Sequence, residues 1–199
     1  MTRAPTIGVL ALQGDFAEHV AAFRSQGVDA VEVRTPAQLA ACGSLVIPGG
    51  ESTTIAKLMD TYALRGAIVE FAASGKPVWG TCAGMILLAG RLIEPDPEPL
   101  HVMDTVVQRN AFGRQVDSFQ ADIDITGIAG GPFHAVFIRA PWITEAGPAV
   151  DVLARLDRGA IVAVRQGNVL ATAFHPELTV DTRVHCYFAE MAAVAQVPA

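Results

Sequence analysis

Strand-like apolar runs alternate with helical stretches through the first half of this 199-residue chain, and that alternation limits its fold more than anything else. Thr6–Leu12 and Leu45–Ile47 are continuous apolar runs, as is Val78-Trp79, which leads into Gly80. Such runs mark strands covered on both faces. Ala30–Val33 reads as a further strand. Between them, Asp15 is placed to cap a helix carrying Phe16, Val20 and Phe23 on one face and stopping at Gly27. Thr35-Pro36 has the form of a helix start, with Thr as N-cap and Pro at the first helical position. The pattern predicts an α/β fold: an open, mostly parallel sheet with helices on both faces. After Arg91 it changes. Glu94–Pro99 holds three prolines and three acids and reads as a surface loop. From Val102 to Phe174 the apolar runs crowd and several alternate, predicting mainly antiparallel strands that extend the sheet or form a small second one. Gln166-Gly167-Asn168 reads as a hairpin turn, and a last helix is expected over about Asp181–Ala195. With 51% hydrophobic residues and no linker, residues 1–199 read as one domain.

The stretch Lys76-Pro77-Val78-Trp79-Gly80-Thr81-Cys82-Ala83-Gly84-Met85 reads as a short buried strand, a tight turn with Cys82 at its tip and a helix start. Glycines two positions either side of Cys82 are what a nucleophile elbow needs, because strand and helix must pack closely around a strained turn. A thiol at a helix N-terminus also meets the positive end of the dipole, which favours thiolate. The alternative is a small buried hydrophobe. Pro48-Gly49-Gly50-Glu51-Ser52 forms a second turn at a strand end. It is either a plain connection with Ser52 as helix cap or a set of backbone N–H groups offered to an anion. Ligands of open α/β sheets bind beyond the carboxyl ends of the strands, so both turns should face one crevice.

A nucleophilic cysteine needs a base and the base an orienter. Of five histidines, His175 stands out: it follows the apolar run Val169–Phe174 and precedes Pro176-Glu177. In extended backbone, residues two apart point the same way, which would set His175 beside Glu177. His19 reads as a surface or packing residue, His101 as solvated, His134 as a strand start and His185 as part of the last helix, none with an obvious orienting carboxylate. Arg109 and Arg139 are the cations expected to reach the crevice, or else solvated strand-end charges.

Net charge is −6 with no basic run, which argues against nucleic acid and anionic membranes as partners. No apolar run approaches the length of a membrane span, and Met1–Pro5 does not read as a signal peptide. Three widely spaced cysteines, Cys42, Cys82 and Cys186, suit neither a disulfide framework nor a zinc cluster and fit a reducing cytoplasm.

Together these residues resemble the class I (triad) glutamine amidotransferases. Six blocks in order — Leu10–Gly14, Pro48–Thr54, Gly80–Met85, Arg109–Gln115, Phe137–Pro141 and His175–Thr179 — resemble more narrowly the glutaminase subunits of pyridoxal 5′-phosphate synthase. The Arg109 block, Thr53-Thr54 and Met85 are the more specific signals; the proline-rich loop and Val180 depart from the pattern. The resemblance implies the class I glutaminase fold, a flavodoxin-like three-layer arrangement with added antiparallel strands. It implies Cys82 as nucleophile, His175 as base and Glu177 as its orienter, with an oxyanion held by N–H groups of Ala83 and of Gly49-Gly50. It implies that Gly50, Glu51, Ser52, Arg109, Ile138 and Arg139 hold L-glutamine by its amino-acid head group. It implies no cofactor and no metal. The partner implied is the separate (β/α)8-barrel synthase subunit that takes up the ammonia. Activity is then expected to be weak until docking completes the oxyanion hole near Gly49-Gly50, and Gln13 and Gly14, at a first-strand end, are candidates for the docking surface. Two rivals stay open on the sequence: another cysteine-elbow hydrolase on the same sheet, and a catalytically silent subunit that keeps the fold.

Overall fold

The computed structural model describes residues 6–109, 118–157 and 159–195. The elements are β1 (Ile7–Leu10), α1 (Phe16–Ser25), β2 (Ala30–Val33), α2 (Pro36–Ala40), β3 (Ser44–Ile47), α3 (Ser52–Thr61), α4 (Leu64–Ala73), β4 (Val78–Thr81) and α5 (Ala83–Leu88). The chain continues with β5 (Ala89–Leu92), β6 (Met103–Gln108), β7 (Ser118–Ile123), β8 (Phe133–Ile138), β9 (Trp142–Ala146) and β10 (Asp151–Arg155). It closes with β11 (Ile161–Gln166), β12 (Val169–Thr172), a 3-10 turn (Pro176–Leu178) and α6 (Arg183–Val194).

A ten-stranded sheet runs in the order β2-β1-β3-β4-β12-β11-β9-β6-β5, with β10 on β11. From β2 to β12 every neighbouring pair is parallel. Beyond β12 the pairs are antiparallel, until β5 and β6 pair in parallel at the far edge. β7 and β8 form a separate antiparallel ribbon. Both expectations for the second half are therefore met at once: strands extend the sheet and a small second sheet exists. Gly167-Asn168 joins β11 to β12 as a hairpin, with Gln166 opposite Val169.

β1, β3, β4 and β12 are buried along their whole length, the physical reason their sequences are apolar. Along β4 alternate residues serve opposite faces. Trp79 meets Phe188 of α6 and the ring of His19 from α1, and Thr81 reaches His19 as well. Gly80 faces the opposite layer, against Gly84 and Leu88 of α5. Thr35 caps α2 as expected, its Oγ1 accepting from Gln38 N. Two expected caps differ. Asp15 occupies the N-cap position of α1 without a capping hydrogen bond. α3 is capped by Glu51, whose carboxylate accepts from Thr54 N, while Ser52 begins the helix and is buried. Cys42 is a core residue against Gly8, and Cys186 is half-buried; all three cysteines are free. No helix among the described residues is long and apolar enough to cross a membrane.

Candidate active site

β1 lies between β2 and β3, so the chain leaves β1 and β3 in opposite directions and opens a crevice beyond their carboxyl ends. Gln13 bridges this switch point: its Oε1 accepts from Glu51 N at 2.7 Å. The two glycine-bearing turns do face the same crevice. Gly50, Glu51, Ser52, Cys82, Ala83, Arg109, Ile138, Arg139 and His175 line one cavity of about 330 Å³, completed by Gln13, Asp15 and Ile86. That is the small end of the range for ligand sites, a size for an amino acid rather than a peptide.

Cys82 sits between β4 and α5 with φ 46° and ψ −100°, a conformation that costs an ordinary side chain about 1–3 kcal/mol. The surroundings over-determine it. Cys82 N donates to Thr172 O at 2.8 Å, tying the elbow to β12. A Cβ on Gly84 would stand 2.1 Å from Ile47 O, so only glycine lets α5 lie this close to β3. Ala83 is the first residue of α5, so its N–H has no acceptor within the helix. The thiol packs 3.8 Å from Ile138 O.

β12 lies beside β4, which brings His175 to the cysteine. His175 Nδ1 is 2.7 Å from Glu177 Oε1. The juxtaposition expected from the sequence is present, but its cause differs: Pro176–Leu178 is a 3-10 turn, not extended backbone. The turn folds Glu177 back under the ring and buries its side chain fully. With Nδ1 held there, the opposite ring nitrogen is left for Cys82. Gly49 does not line the cavity but backs the ring; a Cβ there would meet His175 Cε1 at 2.4 Å.

Asp15 is a member of the site that its expected role as a cap concealed. Its Oδ2 lies 3.3 Å from His175 Nδ1. Burial works against the His175 cation, but hydrogen bonds to Asp15, Cys82 and Glu177 outweigh it and push the group up to about 12. Burial likewise pushes the Glu177 carboxyl up. The two groups share one proton, which we place on the imidazole because three acceptors surround it. Removing one acceptor must loosen that proton. In Asp15→Asn the titration of the His175 ring, followed by NMR, moves to lower pH by about one unit. An unmoved titration would mean that Asp15 does not act on the ring.

Arg109 is fixed from outside the cavity. Its Nη1 donates to Asp96 O at 2.6 Å, its backbone N to the Glu94 carboxylate, and its Nη2 lies 3.4 Å from Glu51 Oε1. The proline-rich loop therefore positions a cavity residue, a link that local sequence does not carry. Burial opposes the Glu51 charge, yet the Thr54 N–H, the Thr53 and Thr54 hydroxyls and Arg109 together hold its carboxyl below the usual range. Asn110–Gln115, the rest of the Arg109 block, lie outside the described residues.

The other histidines do have partners. His134 lies 2.7 Å from Asp122 Oδ1 and His101 2.7 Å from Glu98 Oε1, contrary to the expectation of no carboxylate beside them. Both pairs are exposed and neither lines the cavity, so they orient no base. Asp15, His175 and Glu177 offer metal-ligand atoms within 4.8 Å of one another. A metal there would have to displace the hydrogen bond between His175 and Glu177, which uses the same atoms.

Comparison with known proteins agrees with this geometry. Residues 9–194 match the SNO glutamine amidotransferase family. The chain is 57% identical over 195 residues to the pyridoxal 5′-phosphate synthase subunit PdxT of Acidothermus cellulolyticus, covering 95% of this chain and 94% of that protein. It is 54% identical over 198 residues to the PdxT subunit of Salinispora arenicola, covering 96% and 98%. A crystal structure of a glutamine amidotransferase superposes with a TM-score of 0.88 at 49% identity, covering 94% of this chain and 98% of that one. A cysteine elbow, a carboxylate-backed histidine and an amino-acid-sized cavity thus occur in a chain that belongs to the SNO glutamine amidotransferase family.

Proposed function

We propose that this chain hydrolyses L-glutamine to L-glutamate and ammonia, and that it passes the ammonia to a synthase subunit that makes pyridoxal 5′-phosphate. The observation that carries the reading is the 2.7 Å His175–Glu177 contact beside Cys82 on its strained elbow, at one cavity. The Cys82 thiolate attacks the side-chain carboxamide carbon, and the oxyanion takes hydrogen bonds from the backbone N–H groups of Ala83 and Gly50, both of which line the cavity. The His175 imidazolium gives its proton to the departing nitrogen, which leaves as ammonia and a γ-glutamyl thioester. Water enters, gives a proton to His175 and releases glutamate. Glu177 holds the ring and stabilises its positive charge. Arg109 and Arg139 face the substrate carboxylate, Glu51 faces its ammonium group, and Gly50, Ser52 and Ile138 complete the head-group site.

The relatives are named as subunits of pyridoxal 5′-phosphate synthase. On that basis the partner is the barrel synthase subunit, residues 1–199 act as one amidotransferase domain, and the complex works in the cytoplasm. Free cysteines at all three positions suit that reducing compartment. Glutamate release, measured with and without the barrel subunit, tests the reading. Release that rises with the partner is expected. Release indifferent to the partner would contradict the coupling, and none in either condition would contradict the activity.

A further inference from the structure

Behind Glu177 lies a row of buried polar groups that the reaction as described does not use. Glu177 turns Oε1 to His175; its other oxygen, Oε2, makes no regular hydrogen bond. The nitrogen facing Oε2 is His19 Nε2, at 3.3 Å, with both side chains fully buried. His19 belongs to α1, Glu177 to the turn after β12. The same Nε2 lies 3.2 Å from Thr81 Oγ1, one residue before Cys82. His19 Nδ1 lies 3.0 Å from Nε2 of His185 on α6. Trp79 closes the side, its ring edge-on to His19 at 5.4 Å.

The protons in this row follow from chemistry. With the shared proton on His175, the Glu177 carboxylate can only accept, so the nitrogen facing it carries hydrogen. Burial first, then His185 and His175, hold His19 well below its usual range, so the ring is neutral and has one N–H. That N–H is therefore on Nε2, and Nδ1 is a bare acceptor. His185, also kept neutral by burial, must then donate from its own Nε2. This leaves His185 Nδ1 as a lone pair without a partner, and that atom is indeed unpaired. The opposite tautomer would aim a lone pair at the carboxylate.

We propose that His19 is a positioning residue for glutamine hydrolysis: its imidazole bonds Thr81 Oγ1 beside the elbow and sets Nε2 3.3 Å from Glu177 Oε2, and so braces the carboxylate that holds His175. This rests on the Cys82–His175–Glu177 reading above. A buried anionic oxygen that no N–H faces is costly, and the carboxylate escapes that cost by taking a proton or rotating. Either response withdraws the charge that keeps the His175 proton in place. The groups facing His175 are Asp15 from the turn before α1, Cys82 from the elbow and Glu177; those facing His19 are Glu177, His175 and His185.

The test is steady-state glutaminase kinetics against pH, with the barrel subunit present, for His19→Gln, His19→Asn and Glu177→Gln. A glutamine side chain can place an N–H where Nε2 stands; the shorter asparagine reaches only toward the Nδ1 position. In His19→Asn, kcat falls by about 10–100-fold, the range for outer partners of a reacting group, with KM unchanged because His19 does not line the cavity. The alkaline limb of the pH profile moves to lower pH. His19→Gln restores most of kcat and the wild-type limb. If both variants lose activity equally with the wild-type pH profile, or neither loses any, His19 is a packing residue and the inference fails. Should His19→Asn fail to fold, as judged by circular dichroism, His19→Leu, which removes the Nε2 donor, takes its place: an alkaline limb moved to lower pH supports the inference and a wild-type limb overturns it. Full activity in Glu177→Gln would instead overturn the triad reading itself.

Discussion

Cys82→Ala is expected to lower glutamate release by on the order of 10⁶-fold, the scale on which loss of the nucleophile acts in a triad hydrolase. The size follows from the site. Without sulfur no thioester can form, and neither Cys42 nor Cys186 lines the cavity to substitute for it. The fold should survive. The thiol is small, and beyond its hydrogen bond with the His175 ring it makes a weak 3.8 Å approach to Ile138 O. Alanine keeps the φ 46° strain that cysteine already bears. Cys82→Gly, by contrast, relieves that strain and should raise the thermal midpoint while being equally inactive. Activity retained in Cys82→Ala would remove the cysteine from the chemistry.

Gly84→Ala is expected to lower stability sharply. The new methyl would stand 2.1 Å from Ile47 O and 3.0 Å from Ile47 C, and both are backbone atoms of a central strand. Neither can move aside as a flexible side chain would. α5 must lift from β3 instead, and with it the elbow. Overpacking of this kind costs about 3 kcal/mol or more. For a chain of this size that lowers the thermal midpoint by about 6–12 °C. Gly66→Ala in α4 is the control, because nothing lies within 4 Å of its added Cβ. There alanine should stabilise by up to about 1 kcal/mol through helix propensity alone. Equal midpoints for the two variants would refute the close-approach argument.

The contrast between these glycines shows what sequence carries and what it leaves out. β1, β3 and β4 were legible because strands buried on both faces must be apolar throughout. The elbow was legible because close strand–helix packing demands glycine at fixed spacing. Glu177 lies beside His175 through a 3-10 turn, where the two-residue spacing predicts extended chain. The α3 cap was misplaced because Glu51 and Ser52 both carry capping groups, and only burial of Ser52 decides between them. The remaining links are long-range. Gln13 reaches Glu51 across 38 positions and His19 reaches Thr81 across 62. Arg109 is held by Glu94 and Asp96 of a loop whose composition says only that it is exposed. Asp15 and His19 looked like a cap and a packing residue because their partners are named by topology, not by neighbours in the chain.

Affinity labelling identifies the group that attacks glutamine. A glutamine analogue carrying a chloromethyl ketone in place of the carboxamide presents an electrophile to whichever group attacks glutamine. Incubated with the complex and mapped by peptide mass spectrometry, it should label Cys82 once per chain, with Cys42 and Cys186 unmodified and glutamine protecting against the reaction. Label on another residue, or on Cys82 at a rate indifferent to glutamine, would mean that Cys82 is not the nucleophile of a glutamine site.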